Sequence, residues 1–504
     1  MDEEEVKNMD SATFVLFGGT GDLAKRKIYP ALFNLFLDEK LPKTFSIVTL
    51  GRGEMSSDEL HENLKQSLEH FSRRKASDDS KKEEFISMFR YLPLDAYSIE
   101  DFKTLLALVE EREQELGIPQ NRMFYLSVGP QLFDVISTSI KESGLGDTKG
   151  WKRLIIEKPF GHDLQSAREL NERLSKSFKE DEIYRIDHYL GKPMVQNLEA
   201  LEFANPIIQA LWNNKHIANV QVTASEVVGV EERAGYYDTS GAIRDMVQNH
   251  MLQMVMMTAM SKPEELTAEN IRREKRSVME SLRMYSKEEV AANVIRGQYA
   301  AGEMAGKPVP GYLDEPGIEA SSKNDTFIAA RLWIDNDFWK GVPFYIRTGK
   351  RMNEKSTRIV VEFKNPANDV YSNGEKNTVA NLLVVEINPN EGISFMLNSK
   401  NPLEAGKLEP IKIDYVSNRK NVPEAYELLI NDALRGDSTF FAHWNEVELS
   451  WKWVQPVLNV FNENQAPLHQ YPAGSNGPEA SDALLGEQNF KWWLDKESKE
   501  AVVK

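Results

Sequence analysis

A short apolar run followed at once by a glycine-rich turn restricts the fold of this chain more than any other feature. The run is Phe14–Phe17, the turn reads GGTGDLA at 18–24, and apolar residues at helical spacing follow it. In such a strand–turn–helix unit the N–H groups and positive dipole of the helix start favour a bound pyrophosphate. The spacing G-x-x-G-x-x-A predicts a dinucleotide site that includes Gly18, Gly21, Asp22 and Leu23. An ordinary glycine-rich turn is the alternative.

The first 190 residues alternate short apolar runs with helical patterns. The predicted strands are Phe14–Phe17, Ile47–Leu50, Phe89–Leu92, Met123–Val128, Leu154–Glu157 and Ile183–Asp187. Most lack polar alternation, as is typical of buried parallel strands. A helix over 58–71 is predicted to begin with a capping box formed by Ser56 and Glu59.

Beyond residue 190 the pattern changes, because helices dominate to about residue 300 and longer alternating runs fill 327–417. Period-two alternation is typical of an antiparallel sheet with one covered face. The sequence therefore predicts an α/β Rossmann-like dinucleotide-binding domain over 1–190. A large α+β domain with an antiparallel sheet is predicted to follow over 191–504.

Composition excludes several classes of protein. The 504 residues carry a formal charge of −17, and a chain this acidic is a poor nucleic-acid ligand, since that affinity comes from Lys and Arg. There is no cysteine, which excludes disulfides, thiolate metal sites and cysteine nucleophiles. The most apolar stretch, 251–260, is too short to span a bilayer. We expect a cytoplasmic protein without nucleic-acid or membrane partners.

The residue after the second predicted strand bears on the choice of cofactor. An acid at this position would bind the ribose 2′-hydroxyl of NAD, but the strand is followed by Gly51-Arg52-Gly53. A guanidinium suits a 2′-phosphate, so Arg52 favours NADP, with NAD as the weaker alternative. A solvated surface arginine is the other interpretation.

Three segments hold the candidate proton-transfer and anion-binding groups. RIDHYLGK at 185–192 follows a predicted parallel strand, where α/β proteins bind ligands. Lys158 ends another strand before Pro159, whose peptide bond is a candidate for the cis form. His250 lies in a helix that is apolar nearly all round, and periodicity alone favours a buried core histidine there. A carboxylate partner facing a cleft would instead make it a general base.

Taken together, these segments resemble the glucose-6-phosphate dehydrogenase family. The matching pieces are GGTGDLAKRK at 18–27, IIEKPFG at 155–161, RIDHYLGK at 185–192, SEVVGVEERAGYYD at 225–238, DMVQNH at 245–250, NDTFIA at 324–329, GVPFYIRTGKRM at 341–352 and PEAYELLINDALRGD at 423–437. They occur in the family's order and span nearly the whole chain.

The resemblance implies oxidation of β-D-glucose 6-phosphate at C1 to 6-phosphoglucono-δ-lactone, with hydride transfer to NADP, in the first step of the oxidative pentose phosphate pathway. It assigns catalysis to His250 as base and to Asp187 as its orienting carboxylate. It assigns substrate binding to His188, Tyr189, Lys192, Glu226, Asp245, Lys350, Lys355 and Lys158. Lys158 and Pro159 would also border the cofactor, beside Gly18, Gly21, Asp22, Leu23 and Arg52. No metal is expected.

The resemblance also implies that the domain over 191–504 binds the substrate and forms a homodimer through its large sheet, or a dimer of such dimers. Two other functions remain open at this stage. One is an NADP-dependent dehydrogenase acting on another aldose phosphate or an unphosphorylated sugar. The other is a catalytically silent NADP-binding sensor, although a base beside a hydride acceptor would serve no purpose in a sensor.

Overall fold

A computed structural model describes residues 9–75, 79–366, 371, 378–404, 407–417 and 421–495. The described residues group into two compact units. The first holds those within 9–192, 267–269 and 421–448, and the second those within 193–266, 270–417 and 449–495. Residues 421–448 thus group with the first unit, although in sequence they lie between two segments of the second unit.

The first unit contains a six-stranded sheet in which every neighbouring pair is parallel. Its strands are β1 (Ala12–Phe17), β2 (Phe45–Gly51), β3 (Phe89–Pro93), β4 (Arg122–Leu126), β5 (Lys152–Glu157) and β6 (Ile183–Ile186). The order β3-β2-β1-β4-β5-β6 is that of a dinucleotide-binding fold, whose ligand crevice lies beyond the carboxyl ends of the strands where the order reverses. The Rossmann-like fold and all six predicted strands are confirmed.

Burial explains why these strands lack alternation. Every residue of β1 and β2 is buried, so both faces of the sheet must be apolar. The capping box is also confirmed: Ser56 Oγ accepts the Glu59 N–H, and Glu59 accepts the Ser56 N–H at 2.8 Å. Such a box satisfies two of the donors that a helix start leaves unpaired.

The second unit contains a nine-stranded sheet of order β16-β15-β14-β13-β7-β12-β11-β8-β17. Its strands are β7 (Ile217–Ser225), β8 (Val294–Ala300), β11 (Phe327–Trp333), β12 (Pro343–Gly349), β13 (Ser356–Phe363), β14 (Leu382–Asn388), β15 (Gly392–Lys400), β16 (Leu408–Val416) and β17 (Leu468–Pro472). A short hairpin, β9 (Gly302–Met304) with β10 (Lys307–Val309), stands apart from it.

This sheet corrects the prediction in one respect. It is mostly antiparallel, but β7 pairs with β12 and β8 pairs with β17 in parallel. β7 precedes β12 by more than a hundred residues, which leaves chain enough for the crossover that parallel pairing needs. The predicted α+β class is confirmed, and the sheet is mixed.

The α-helices are α1 (Tyr29–Leu37), α2 (Ser57–Phe71), α3 (Asp79–Ser87), α4 (Ile99–Leu116), α5 (Phe133–Glu142), α6 (Leu164–Leu174), α7 (Pro193–Phe203), α8 (Pro206–Leu211), α9 (Ala234–Ala242), α10 (Leu252–Ala259), α11 (Ala268–Glu280), α12 (Lys287–Asn293), α13 (Ala425–Arg435), α14 (Trp444–Asn462) and α15 (Glu479–Gly486). Two segments are π-helical, Ala24–Ile28 and Ile243–Met251. Within the described chain, every helix is too short or too polar to cross a membrane.

Candidate active site

The glycine turn lies at the carboxyl end of β1, next to the end of β4. Gly18 has φ +80°, and a Cβ there would lie 2.1 Å from the carbonyl oxygen of Ser127. A Cβ at Gly19 would lie 1.8 Å from Thr49 Oγ1. The chain therefore tolerates no side chain at either position, and the backbone can approach a ligand closely.

The helix that follows the turn offers donors for an anion. Lys25 N–H donates to Gly21 O at 3.2 Å, which is the first backbone bond of the helix. The N–H groups of the preceding helical residues, Asp22 and Leu23 among them, have no carbonyl within the helix to receive them. Unpaired N–H groups at the positive end of a helix dipole are the donors that a pyrophosphate needs, and the pyrophosphate site at this turn stays a prediction.

Arg52 follows β2 directly and its side chain is exposed. Its position at the carboxyl end of the strand beside β1 is where a dinucleotide fold holds the adenine ribose. The neighbouring loop is fixed by the Tyr91 hydroxyl, which donates to the Gly53 carbonyl. A guanidinium at this edge can receive a 2′-phosphate.

The segment after β6 brings four predicted residues together. Asp187 is 2% exposed, and its Oδ1 accepts the Tyr189 N–H at 2.9 Å. The Tyr189 ring lies 5.0 Å from the His188 ring and 4.1 Å below the Lys192 ammonium. A histidine, a lysine and a phenol within one turn can converge on a phosphate group.

This turn needs a glycine because it packs against a helix. A Cβ at Gly191 would lie 2.7 Å from the carbonyl oxygen of Ala425 and 2.8 Å from Leu429 Cδ1, both on α13. Close approach of α13 thus fixes the path of the chain between Tyr189 and Lys192.

Lys158 follows β5 and is joined to Pro159 by a cis peptide bond, as the sequence suggested. Before it stands Glu157, which the sequence analysis missed. Its Oε1 accepts the Tyr125 hydroxyl at 2.6 Å, and the Tyr426 hydroxyl also donates to this carboxyl group. Although the residue is only half-buried overall, burial of its carboxyl group raises the pKa of Glu157 to about 7. The two tyrosine hydroxyls and the charge of Lys158 act against that rise.

In the second unit, Glu226 and Lys350 lie side by side just beyond the carboxyl ends of two adjacent strands. They follow β7 and β12, whose parallel pairing sets Ser225 beside Gly349. The Lys350 ammonium donates to Glu226 Oε2 at 2.8 Å, and the lysine side chain is only 8% exposed. Lys355 directly precedes β13, in which Ser356 pairs with Ser225 of β7. This exposed lysine therefore lies at the same end of the strands as Glu226 and Lys350.

Tyr237 lies between Lys350, at these strand ends, and the helix that holds Asp245. Its ring lies 4.9 Å from the Lys350 ammonium. Burial raises its pKa well above the ordinary range, and the carboxylates Asp245, Asp325 and Glu226 raise the pKa further. Tyr237 is thus a buried phenol among three carboxylates. It belongs to the matching segment 225–238, but no pattern of residues distinguished it from its neighbours there.

Asp245 and His250 share the π-helical segment Ile243–Met251 rather than an α-helix. They are 4% and 1% exposed. Asp245 Oδ1 lies 3.5 Å from the Tyr236 hydroxyl and 3.8 Å from an Arg233 nitrogen. Single-turn π segments often occur at functional sites, so the local geometry agrees with a function for this helix.

Comparisons with known proteins identify the family. Residues 15–197 match the model for the glucose-6-phosphate dehydrogenase NAD binding domain, and residues 199–493 match that for the C-terminal domain. A glucose-6-phosphate 1-dehydrogenase of Bacillus subtilis is 48% identical, over 96% of this chain and 98% of that protein. One of Leuconostoc mesenteroides is 43% identical, over 94% and 97%.

Solved structures agree with these relatives. A glucose-6-phosphate dehydrogenase in complex with its substrate glucose-6-phosphate has a TM-score of 0.88 at 36% identity, covering 96% of this chain and 98% of that one. A glucose-6-phosphate 1-dehydrogenase from Mycobacterium avium has a TM-score of 0.83 at 30% identity, covering 97% and 99%. The chain is an oxidoreductase acting on a CH–OH donor with a nicotinamide cofactor, and it belongs to the glucose-6-phosphate dehydrogenase family.

Proposed function

We propose that this chain oxidises β-D-glucose 6-phosphate at C1 to 6-phosphoglucono-δ-lactone with hydride transfer to NADP. This is the first step of the oxidative pentose phosphate pathway. The observation that carries the proposal is the match of both family models, which together cover nearly the whole chain.

The substrate phosphate is held by His188, Tyr189 and Lys192 in this proposal. Contact between the Lys192 ammonium and the Tyr189 ring already limits where the lysine can reach. A phosphate anchored far from C1 contributes binding energy that orients the reacting carbon. Lys158, at the end of β5, contacts both substrate and cofactor.

Proton removal from the C1 hydroxyl is assigned to His250. Asp187 orients the imidazole and stabilises its cationic form, because a carboxylate favours the charged state of a nearby base. Glu226, Asp245, Lys350 and Lys355 bind the sugar hydroxyls. NADP, when bound, supplies the acceptor for the hydride. The two sets of residues belong to different units, and their joint action on one substrate is part of the proposal.

We further propose NADP over NAD because Arg52 takes the place of the acid that an NAD-binding fold would carry. We retain 1–190 and 191–504 as the cofactor domain and the substrate and dimerisation domain. The compartment that we propose is the cytoplasm, since substrate and cofactor are both phosphorylated metabolites.

A homodimer through the nine-stranded sheet, alone or as a dimer of dimers, is also part of the proposal. Its outermost strand, β16, leaves Ile413 56% exposed and Tyr415 53% exposed. An exposed apolar edge strand is a liability unless another chain covers it.

The test is the rate of reduced-nicotinamide formation with glucose 6-phosphate, run in parallel with NADP and with NAD. We expect fast reduction with NADP and slower reduction with NAD. A panel of aldose phosphates and free sugars distinguishes the alternative substrates, because loss of the phosphate should be costly only if Lys192 and His188 bind it. No reduction by folded protein that still binds NADP would favour the sensor.

A further inference from the structure

A polar cavity of about 380 Å³ lies in the second unit, apart from the residues assigned to substrate and cofactor. We call it the arginine cavity. The residues of its lining that carry the argument are Arg244, Arg296, Lys323, Asp238, Asp325 and Asn464. Its volume is within the range of small-molecule sites.

Arg296, on β8, provides a cation at the wall of the cavity. The residue is 2% exposed, and its guanidinium lies 4.7 Å from the Phe461 ring. Its hydrogen bonds go to the carbonyls of Phe461 and Ala466, at 3.4 and 2.8 Å, and to Asn464 Oδ1 at 3.2 Å. These acceptors are all neutral, so none of them cancels the charge of the buried guanidinium.

The two carboxylates of the cavity are engaged by donors of the protein. Asp238 accepts the hydroxyls of Tyr312, at 2.7 Å, and of Ser322. Asp325 accepts the Ile243 N–H at 2.9 Å, and its charge interacts with those of Arg244 and Arg296. With Arg244 and the exposed Lys323, the cavity carries three cations against two carboxylates.

We propose that the arginine cavity binds a phosphate-type dianion, either inorganic phosphate or the phosphate group of a small metabolite. Arg244 and Lys323 supply charge-assisted donors, while Arg296 adds a buried positive charge at the wall of the cavity. The binding is a property of these residues and does not require the proposed dehydrogenase reaction.

The cavity borders the backbone that positions part of the candidate active site. Arg244 precedes Asp245, and Asp325 accepts the N–H of Ile243 at the start of the same π-helix. The Lys350 N–H donates to the carbonyl of Thr326, next to Asp325, at 3.0 Å. A dianion in the arginine cavity would therefore contact Arg244, the sequence neighbour of the proposed sugar-binding residue Asp245.

The test is a calorimetric titration with inorganic phosphate in a Lys192→Ala background, which weakens phosphate binding at the proposed substrate site. We expect one phosphate per chain to remain bound. Adding Lys323→Ala should weaken that binding at least tenfold, and adding Arg244→Gln should weaken it further. Lys307→Ala removes an exposed lysine from β10, outside the cavity lining, and should leave the affinity unchanged.

No phosphate binding in the Lys192→Ala protein would overturn the proposal. Unchanged binding after Lys323→Ala and Arg244→Gln, in protein whose circular dichroism is native, would overturn it as well. A parallel titration with glycerol 3-phosphate separates the two sources: tighter binding than that of phosphate assigns the site to a metabolite, and equal or weaker binding assigns it to inorganic phosphate. Because no turnover is measured, failure here leaves the dehydrogenase proposal standing.

Discussion

At the scale of single residues, the carboxyl group of Glu157 gives the stability of the protein a defined pH dependence. Burial raises its pKa to about 7 from an ordinary value of 4.5. Between these two values the unfolded chain has lost the proton that the folded chain still holds. The free energy of unfolding therefore falls as the pH rises through this window, and the loss is complete above pH 7.

Glu157→Gln should remove this dependence, because an amide stays neutral at every pH. Relative to the wild type, the variant should become more stable by up to about 3 kcal/mol between pH 4.5 and pH 8, as urea denaturation at each pH would measure. Tyr125→Phe removes a donor that lowers the pKa of Glu157. In this variant the pH range over which the free energy of unfolding falls should therefore extend to higher pH. A constant difference between Glu157→Gln and the wild type would contradict the assignment.

His250 carries the proposed proton transfer. His250→Asn should retain binding of glucose 6-phosphate yet lose about 10²- to 10⁴-fold in turnover, since an amide cannot accept the proton. Steady-state rates with NADP, alongside direct measurement of substrate binding, test this. His216→Asn, at an exposed position, serves as the control and should leave the rate unaltered. Near-normal turnover of His250→Asn would refute the role.

Lys192 is expected to act on the phosphate and not on the sugar. Lys192→Ala should raise KM for glucose 6-phosphate about ten- to a hundredfold, the loss expected for a hydrogen bond to a charged group. The slow reaction of glucose itself should change little. The exposed Lys149 provides a matched alanine control. An equal loss with both substrates would show that Lys192 does not bind the phosphate.

At the scale of elements, the glycine turn after β1 is the part whose backbone the function constrains most. Gly18→Ala combines a left-handed φ of +80° with a Cβ placed 2.1 Å from a backbone oxygen of the β4 end. We expect a loss of about 2 kcal/mol or more in unfolding free energy and at least tenfold weaker NADP binding. Thermal denaturation and fluorescence titration measure the two effects.

Gly53→Ala is the matched control for this substitution. A Cβ at Gly53 meets no heavy atom within 4 Å, so its stability should stay within about 0.5 kcal/mol of the wild type. If both alanine variants proved equally stable, the turn would not depend on the close approach at Gly18.

Elements of the first unit could be predicted because their determinants are local. Strands buried on both faces are continuous apolar runs, and a glycine turn must follow β1 if phosphate is to approach. β8 was missed because Arg296, Gly297 and Gln298 interrupt its apolar pattern while remaining buried. β17 was missed for another reason: its parallel partner, β8, lies far away in the sequence.

The candidate site was predictable only where residues are close in sequence. The turn after β6 gathers Asp187, His188 and Lys192 within six positions, so its convergence could be foreseen. The environment of Glu157 depends on Tyr426, which comes from the far end of the chain. Likewise, the π-helical bonding around His250 changes backbone partners without altering the apolar periodicity that the sequence displays.

At the scale of the whole molecule, the edge of the nine-stranded sheet argues for association with a second copy. Ile411, Ile413 and Tyr415 alternate along β16 and therefore share one face. Their partners in the ladder are three half-buried apolar residues of β15, namely Leu397, Phe395 and Ile393. These six apolar side chains form a continuous patch on a chain whose net charge is −17. Exposed apolar patches of this kind mark interaction surfaces.

Ile413→Lys combined with Tyr415→Lys should convert the proposed dimer into monomers, because burying two new ammonium groups in an apolar interface is costly. Sedimentation velocity at micromolar concentration measures the change, and a wild-type tetramer that falls to dimers would identify a dimer of dimers. Lys412→Gln alters the opposite face of the same strand and should leave the assembly intact. A wild-type protein that sediments as a monomer would overturn the proposal, because the apolar patch on β15 and β16 would then have no second copy to cover it.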